Sequence, residues 1–284
     1  MNILIKDDIL ISGEGAAAGN KMLKSFISPY SATAVEKLQK AGFKTVRFGE
    51  SNAVLSSSIN TTLKGVFQFK PTYGRFSRYG LIANASSFDQ ICVSAEKLDD
   101  CLKISNVISG FDENDMTSIE STEIHPAKTN VCTKVFNSNG FELCEAANYI
   151  VATADLAGNL GRFDGVRYGH RSSAAKDVND VYLLSRSEGF DKETKVKLIA
   201  GTHIICSGVY VKAKQVIKKL KDEFYILFNE CDVLVSEKDN LLMLAETFGL
   251  PFIILPNGKQ LVAKERQEDQ LFAAAAKLSE GGTK

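Results

Sequence analysis

Residues 31–48 read Ser31-Ala-Thr-Ala-Val-Glu-Lys-Leu-Gln-Lys-Ala-Gly-Phe-Lys-Thr-Val-Arg-Phe48, and they decide the fold class. Ser31 stands ahead of a helix over 32–41, on which Ala34, Val35, Leu38 and Ala41 share one face, and Gly42 stops it. Lys44 to Phe48 is β-rich and ends at Gly49. A short apolar strand, Ile3-Leu-Ile5, precedes the helix, so the order strand, helix, strand is complete by residue 48. The same alternation returns near the C-terminus. Residues 208–224 place Val209, Ala213, Val216, Ile217, Leu220 and Phe224 at helical spacing with lysines opposite. A buried strand over 232–236, a helix over 241–248, strands over 252–255 and 260–263, and a helix over 268–279 follow. The chain therefore reads as one α/β domain over 1–284. Residues 110–144, rich in Asp, Asn, Ser, Thr and Glu, read as a polar irregular excursion within it rather than a linker. Gly281 to Lys284 are expected to fray.

Composition narrows the function classes. The 284 residues carry 34 basic and 34 acidic side chains, and 44% are apolar, which fits a soluble globular protein. With net charge zero there is no broad attraction for phosphate backbones or anionic lipid, so direct nucleic-acid binding is not expected. No apolar run approaches the ~18 residues that span a bilayer, and Met1 leads into Ile3-Leu-Ile-Lys-Asp-Asp8 without a leader pattern, so a cytoplasmic location is expected. Six dispersed cysteines without a CxxC pair read as reduced thiols. His125, His170 and His203 have no metal spacing, and no metal or cofactor is called for.

Two residue types could carry chemistry. Lys6, at the end of the first strand, could serve as a general base to a serine if its ammonium were desolvated. Ser56, Ser57 and Ser58 supply the serines, but none has an adjacent glycine to expose oxyanion donors. By themselves they read as a polar loop or a helix cap before a nucleophile.

Phe69-Lys-Pro-Thr-Tyr-Gly-Arg-Phe-Ser-Arg-Tyr-Gly80, continuing through Ala85-Ser-Ser-Phe-Asp-Gln-Ile91, resembles the segment that follows the catalytic serine in the amidase signature family. Ile5-Lys-Asp-Asp-Ile9, Asn20-Lys-Met-Leu23 and Ser28 to Leu38 look like that family's Lys-Asp-Asn block and the helix after it. Tyr149 to Arg171 and Arg186-Ser-Glu-Gly-Phe190 are similar to its A-subunit branch, found in tRNA-dependent amidotransferases, and 260–278 resembles the closing strand and helix.

The resemblance implies an α/β/α sandwich around a mixed sheet, shortened relative to the family. It also implies a Ser, cis-Ser, Lys triad that hydrolyses glutamine and passes ammonia to a partner subunit. Lys6 falls on the catalytic lysine and Ser56 on the nucleophile. The two glycines expected before that serine are Val54 and Leu55, the following Ile-Arg is Ser57-Ser58, and the Gly-Ser loop carrying the cis-serine has no counterpart between Phe48 and Ser56. Val and Leu do not readily adopt the positive φ open to Gly, and loss of one oxyanion donor costs roughly 10²- to 10³-fold in turnover. On the substrate side Tyr149 matches a tyrosine of the glutamine pocket, while the expected arginine pair reads Val196-Lys197. Arg162 and Asp164 are candidate substrate contacts, or members of a structural network with Arg167 and Tyr168. Asp239 falls near an acidic position of the family and is not counted in the site.

The expectation is a degenerate family member acting through binding, with a protein partner, a second copy or other amidotransferase subunits covering the surface left by the missing blocks. The alternative is an active minimal glutamine amidohydrolase using Lys6 and Ser56.

Overall fold

The computed structural model describes residues 1–127, 130–136, 140–237 and 240–280, so Asp239 and Gly281 to Lys284 lie outside the described residues. Nine strands form one mixed sheet. They are β1 (Asn2–Ile5), β2 (Lys44–Val46), β3 (Ala53–Ser56), β4 (Phe67–Lys70), β5 (Cys92–Ala95), β6 (Thr133–Val135), β7 (Val233–Ser236), β8 (Phe252–Ile254) and β9 (Gln260–Ala263). Their spatial order is β2-β1-β3-β5-β4-β8-β9-β7-β6. β1 runs parallel to β2 and β3, and β6 parallel to β7; the remaining pairings are antiparallel.

Helices cover both faces. On one lie α1 (Thr33–Lys40), α2 (Leu98–Ile108) and α8 (Glu268–Glu280), whose Val35, Leu38, Ile104, Leu271 and Phe272 pack with Ile3, Ile5, Leu55 and Phe69. On the other lie α3 (Glu142–Leu160), α6 (Val209–Ile226) and α7 (Asn240–Phe248), whose Val151, Leu220, Phe224 and Ala245 pack with Phe252, Ile254 and Val262. β4 and β5 are buried at every residue because both faces are covered, which removes the polar alternation a half-exposed strand would show. This is an α/β/α sandwich around a mixed sheet.

The expected helices and strands of both ends are present within one or two residues. Ser56, read as loop or cap, closes strand β3. Within 110–144, β6 adds an edge strand and α3 begins at Glu142, while the Asp112–Ser118 turn is tied down by side chains. Asp112 accepts from Thr33 Oγ1 and Ser77 Oγ, each at 2.5 Å. Burial would raise the Asp112 carboxyl, but hydrogen bonds from Ser77, Thr33 and Asn114 outweigh it and hold it at about 2.

α4 (Val178–Gly189) and α5 (Lys192–Ser207) complete the set, with α5 lying along α3. Their approach depends on Gly201, where a Cβ would sit 2.2 Å from Thr153 O and 2.6 Å from Ala157 Cβ. Gly201→Ala is expected to destabilise the fold by about 1–3 kcal/mol through overpacking, despite alanine's better helix propensity. Urea unfolding checks this; an unchanged or higher midpoint would show that the two helices part freely.

Candidate functional site

The Lys70–Gly80 block is densely connected, and its partners are structural. Lys70, fully buried, donates from Nζ to Gln90 Oε1 (2.9 Å), Leu250 O (2.7 Å) and Ala245 O (3.3 Å). Burial pulls its ammonium down to about 8. Arg75 forms a buried ion pair with Glu268 at 3.2 Å and donates to Thr122 O and Ser109 Oγ. The Thr72 N–H donates to the other Glu268 oxygen at 3.0 Å. Gly74, at φ +85°, lets Thr117 O approach where a Cβ would be 2.2 Å away. The turn thus joins α2, α7, α8 and the 112–122 segment.

Lys6 and Ser56 meet through the sheet. Ile5 and Leu55 are partners in the parallel β1–β3 pairing, and the Lys6 N–H donates to Leu55 O at 3.0 Å, so the next residue on each strand lies alongside the other. Their side chains do not engage. Ser56 Oγ donates to Ser58 O at 2.8 Å, and among the described residues no hydrogen bond or ion pair reaches Lys6 Nζ. Lys6 is exposed beside a groove that it shares with Arg47 and Phe48, whereas Ser56 lines neither this groove nor the neighbouring cavity. The first residue with a positive φ in the connection from β3 to β4 is Gly65, nine residues beyond Ser56, so no left-handed glycine adjoins Ser56 to turn successive N–H groups toward an oxyanion.

Arg47 and Asp8, neither singled out by the sequence, organise this corner. Arg47 donates to Ile5 O (3.2 Å), Lys6 O and Ile9 O (2.7 Å), and pairs with Glu14 at 3.2 Å, bracing the chain on either side of Lys6. Asp8 Oδ2 accepts from both the hydroxyl and the N–H of Ser57, the latter at 3.2 Å. Asp8 stands two residues after Lys6 in the sequence, but nothing local marks the reach of either side chain. Asp8 also stands where the resembling block carries asparagine.

The substrate-side candidates do not converge. Tyr149 lies on the exposed side of α3, and three helical turns, about 16 Å, separate it from the end of that helix before Arg162. Arg162 is exposed at a pocket of about 450 Å³ between α3 and the α5–α6 turn. Asp164 is turned inward on its own loop, accepting from Val166 N (2.9 Å), Arg167 N (3.2 Å) and Arg167 Nε (3.1 Å). Val196 is exposed, and Lys197 is engaged by Glu193 at 2.7 Å. No group of three or more His, Cys, Asp or Glu residues among those described could hold a metal ion. No helix among them is long and apolar enough to cross a membrane.

The Amidase family model matches residues 56–134 and 127–237, well over half of the chain. The chain belongs to the amidase family. This family member is 30% identical to the A subunit of the glutamyl-tRNA(Gln) amidotransferase of Caldanaerobacter subterraneus, over 96% of this chain and 81% of that one. To its Clostridium botulinum counterpart it is 28% identical over 95% and 81%. The crystal structure of the Thermotoga maritima counterpart superposes with a TM-score of 0.62 at 21% identity, covering 97% of this chain and 82% of that one. The Clostridium alignment runs to 393 positions against a chain of 284, so more than a hundred positions of the relative face gaps. The family's sandwich is present in shortened form.

Proposed function

We propose that this chain is a binding or scaffold member of the amidase family without Ser–cis-Ser–Lys amide hydrolysis. Its place would be the cytoplasm, in a protein complex connected with translation. One observation carries the reading: Ser56 Oγ is committed to Ser58 O, beside a lysine without a partner among the described residues, and no left-handed residue adjoins that serine. The retained connections of Lys70, Arg75 and Asp164 serve the fold and would persist without catalysis. The six unpaired cysteines accord with a reducing compartment. Other amidotransferase subunits or a second copy of the chain are the partners the kinship suggests.

The competing reading is an active glutamine amidohydrolase, and what favours it is the alignment of Lys6 with Ser56 on adjoining strands. Capture of the protein from its native cells with its partners, followed by measurement of ammonia release from glutamine, separates the two. Lys6→Ala and Ser56→Ala are expected to leave ammonia release at the wild-type background and partner capture intact. Release at least tenfold above the Lys6→Ala background would establish the amidohydrolase instead.

A further inference from the structure

Two of the thiols stand together at one end of the sheet, far from the Lys6–Ser56 corner. β6 and β7 pair in parallel with Thr133 opposite Val233, which sets Cys132 alongside Asp232 and Cys231 one step behind. The backbone is tied at that point. The Asp232 and Val233 N–H groups donate to Cys132 O at 3.0 and 3.1 Å, and the Cys132 N–H donates to Asp232 Oδ2 at 2.8 Å. With strands ~4.8 Å apart and a rise of ~3.3 Å per residue, the two cysteine Cα atoms lie about 6 Å apart, a separation that a disulfide bridges. The side chains agree with the backbone. The Cys132 thiol donates to Glu230 O at 3.6 Å, the carbonyl joined to the Cys231 nitrogen, and the Cys231 thiol donates to Leu227 O at 3.5 Å. Both sulfurs therefore sit against one turn, residues 227–231. Lys134, on the same face of β6 as Cys132 by strand alternation, reaches that turn too in its ion pair with Glu230. The two thiols differ in access: Cys132 is exposed and Cys231 is buried.

We propose that Cys132 and Cys231 are a redox-sensitive dithiol, which hydrogen peroxide closes to a disulfide that latches strand β6 to β7. The exposed Cys132 thiolate attacks one peroxide oxygen, the O–O bond breaks, and hydroxide leaves a sulfenic acid on Cys132. The Cys231 thiolate then attacks that sulfur, the S–O bond breaks, and a second hydroxide leaves. Each hydroxide takes up the proton that one thiol released, so two thiols and one peroxide become one disulfide and two waters. The order follows from access and charge. Burial pushes the Cys231 thiol up, the nearby Cys132 adds to the effect, and the Lys134 ammonium opposes it, so Cys231 is the slower thiol to meet peroxide and the placed one to resolve the sulfenic acid. In a reducing compartment the pair rests as thiols and such a bond is transient. The latch has something to hold: β6 is the terminal strand of the sheet, three residues long and exposed at each of them. The inference goes beyond the scaffold reading and concerns no step of amide chemistry.

The test treats the reduced, folded full chain with a small excess of hydrogen peroxide, blocks remaining thiols with N-ethylmaleimide before unfolding, and maps the linkages by mass spectrometry of an unreduced digest. A Cys132–Cys231 linked peptide pair is expected as the main product, reversed by dithiothreitol and lost in Cys132→Ser and in Cys231→Ser. Cys231→Ser should instead accumulate a sulfenic acid on Cys132 that dimedone traps. The oxidised wild-type chain should unfold at a higher urea concentration than the reduced one, because the bond closes a loop of about a hundred residues in the unfolded state. No linkage at excess peroxide, Cys132 joined mainly to another cysteine or to a second chain, or an oxidised midpoint equal to or below the reduced one would each overturn the assignment. Should Cys231→Ser not fold, the wild-type map and the surface variant Cys132→Ser decide: peroxide-dependent linkage of Cys231 to another cysteine in Cys132→Ser, at the wild-type yield, would overturn it. The readout is a bond and its effect on unfolding, neither ammonia nor partner capture, so its failure leaves the scaffold proposal standing, and the converse.

Discussion

Glu268→Ala is expected to cost about 3–5 kcal/mol of stability, the typical penalty for removing one partner of a buried ion pair. The side chains of Arg75 and Glu268 are only 6% and 1% exposed, so water cannot replace the lost carboxylate. Both oxygens of Glu268 are in use, one on Arg75 Nη1 and the other on the Thr72 N–H. The carboxylate also begins α8, where the exposed helical N–H groups favour negative charge. Its removal would leave a guanidinium in the core with only Thr122 O and Ser109 Oγ as acceptors, and an orphaned amide beside it. Glu268→Gln should lose less, because its amide oxygen can still accept from Thr72. For a chain of this size the alanine variant should melt roughly 10 °C lower. A midpoint within about 2 °C of wild type, with urea unfolding unchanged, would mean that the pair is not closed in solution.

The second large effect is a pH dependence tied to Lys70. Burial brings its ammonium from the usual 10.5 to about 8 in the folded chain. Below pH 8 the side chain is charged in both states, and its desolvation cost is constant. Above pH 8 the folded chain gives up the proton while the unfolded chain holds it to pH 10.5, so the unfolded state binds more protons and stability rises with pH. The full gain is about 3 kcal/mol. Lys70→Met abolishes this rise. It also removes the Lys70 donor from Gln90 Oε1 and Leu250 O, at about 1–3 kcal/mol each, while Ala245 O keeps the Leu250 N–H. The thiols of Cys92 and Cys101, pushed up to about 12 by burial, act in the opposite direction above pH 9, so the informative quantity is the difference between wild type and variant. Urea unfolding should show the deficit of Lys70→Met growing by about 2 kcal/mol between pH 7.5 and 9.5. A deficit independent of pH would place Lys70 in contact with water.

Much of the fold is legible because its amphipathic elements obey their periods. α1, α6 and α8 each bury one stripe, and β7, β8 and β9 are compact apolar runs. α5 is not legible in this way: its apolar Val196, Ile199 and Ile205 face solvent, and its one buried residue is the glycine against α3. β3 is hidden because four residues leading into a serine run carry too little pattern to distinguish strand from loop. At the site, the register of β1 with β3 follows from no local signal, and neither does Arg47's reach across three carbonyls. Asp8 gives no local signal either, because its significance lies in Ser57, 49 residues away.

The order of strands in the sheet bears on synthesis of the chain. By the time Ala95 has left the ribosome, β2, β1, β3, β5 and β4 can all pair, but β4 remains an outer strand with its second edge unpaired. That edge waits for β8, more than 150 residues further on. At roughly 5–20 residues per second the delay is about 8–30 s. Throughout that interval the nascent chain presents Phe67 to Lys70 as an open apolar edge, the kind of surface that pairs with neighbouring chains unless something shields it. The dense connections of the adjoining turn to α7 and α8 can form only after that wait, so the block that holds the finished molecule together is also the last to be secured.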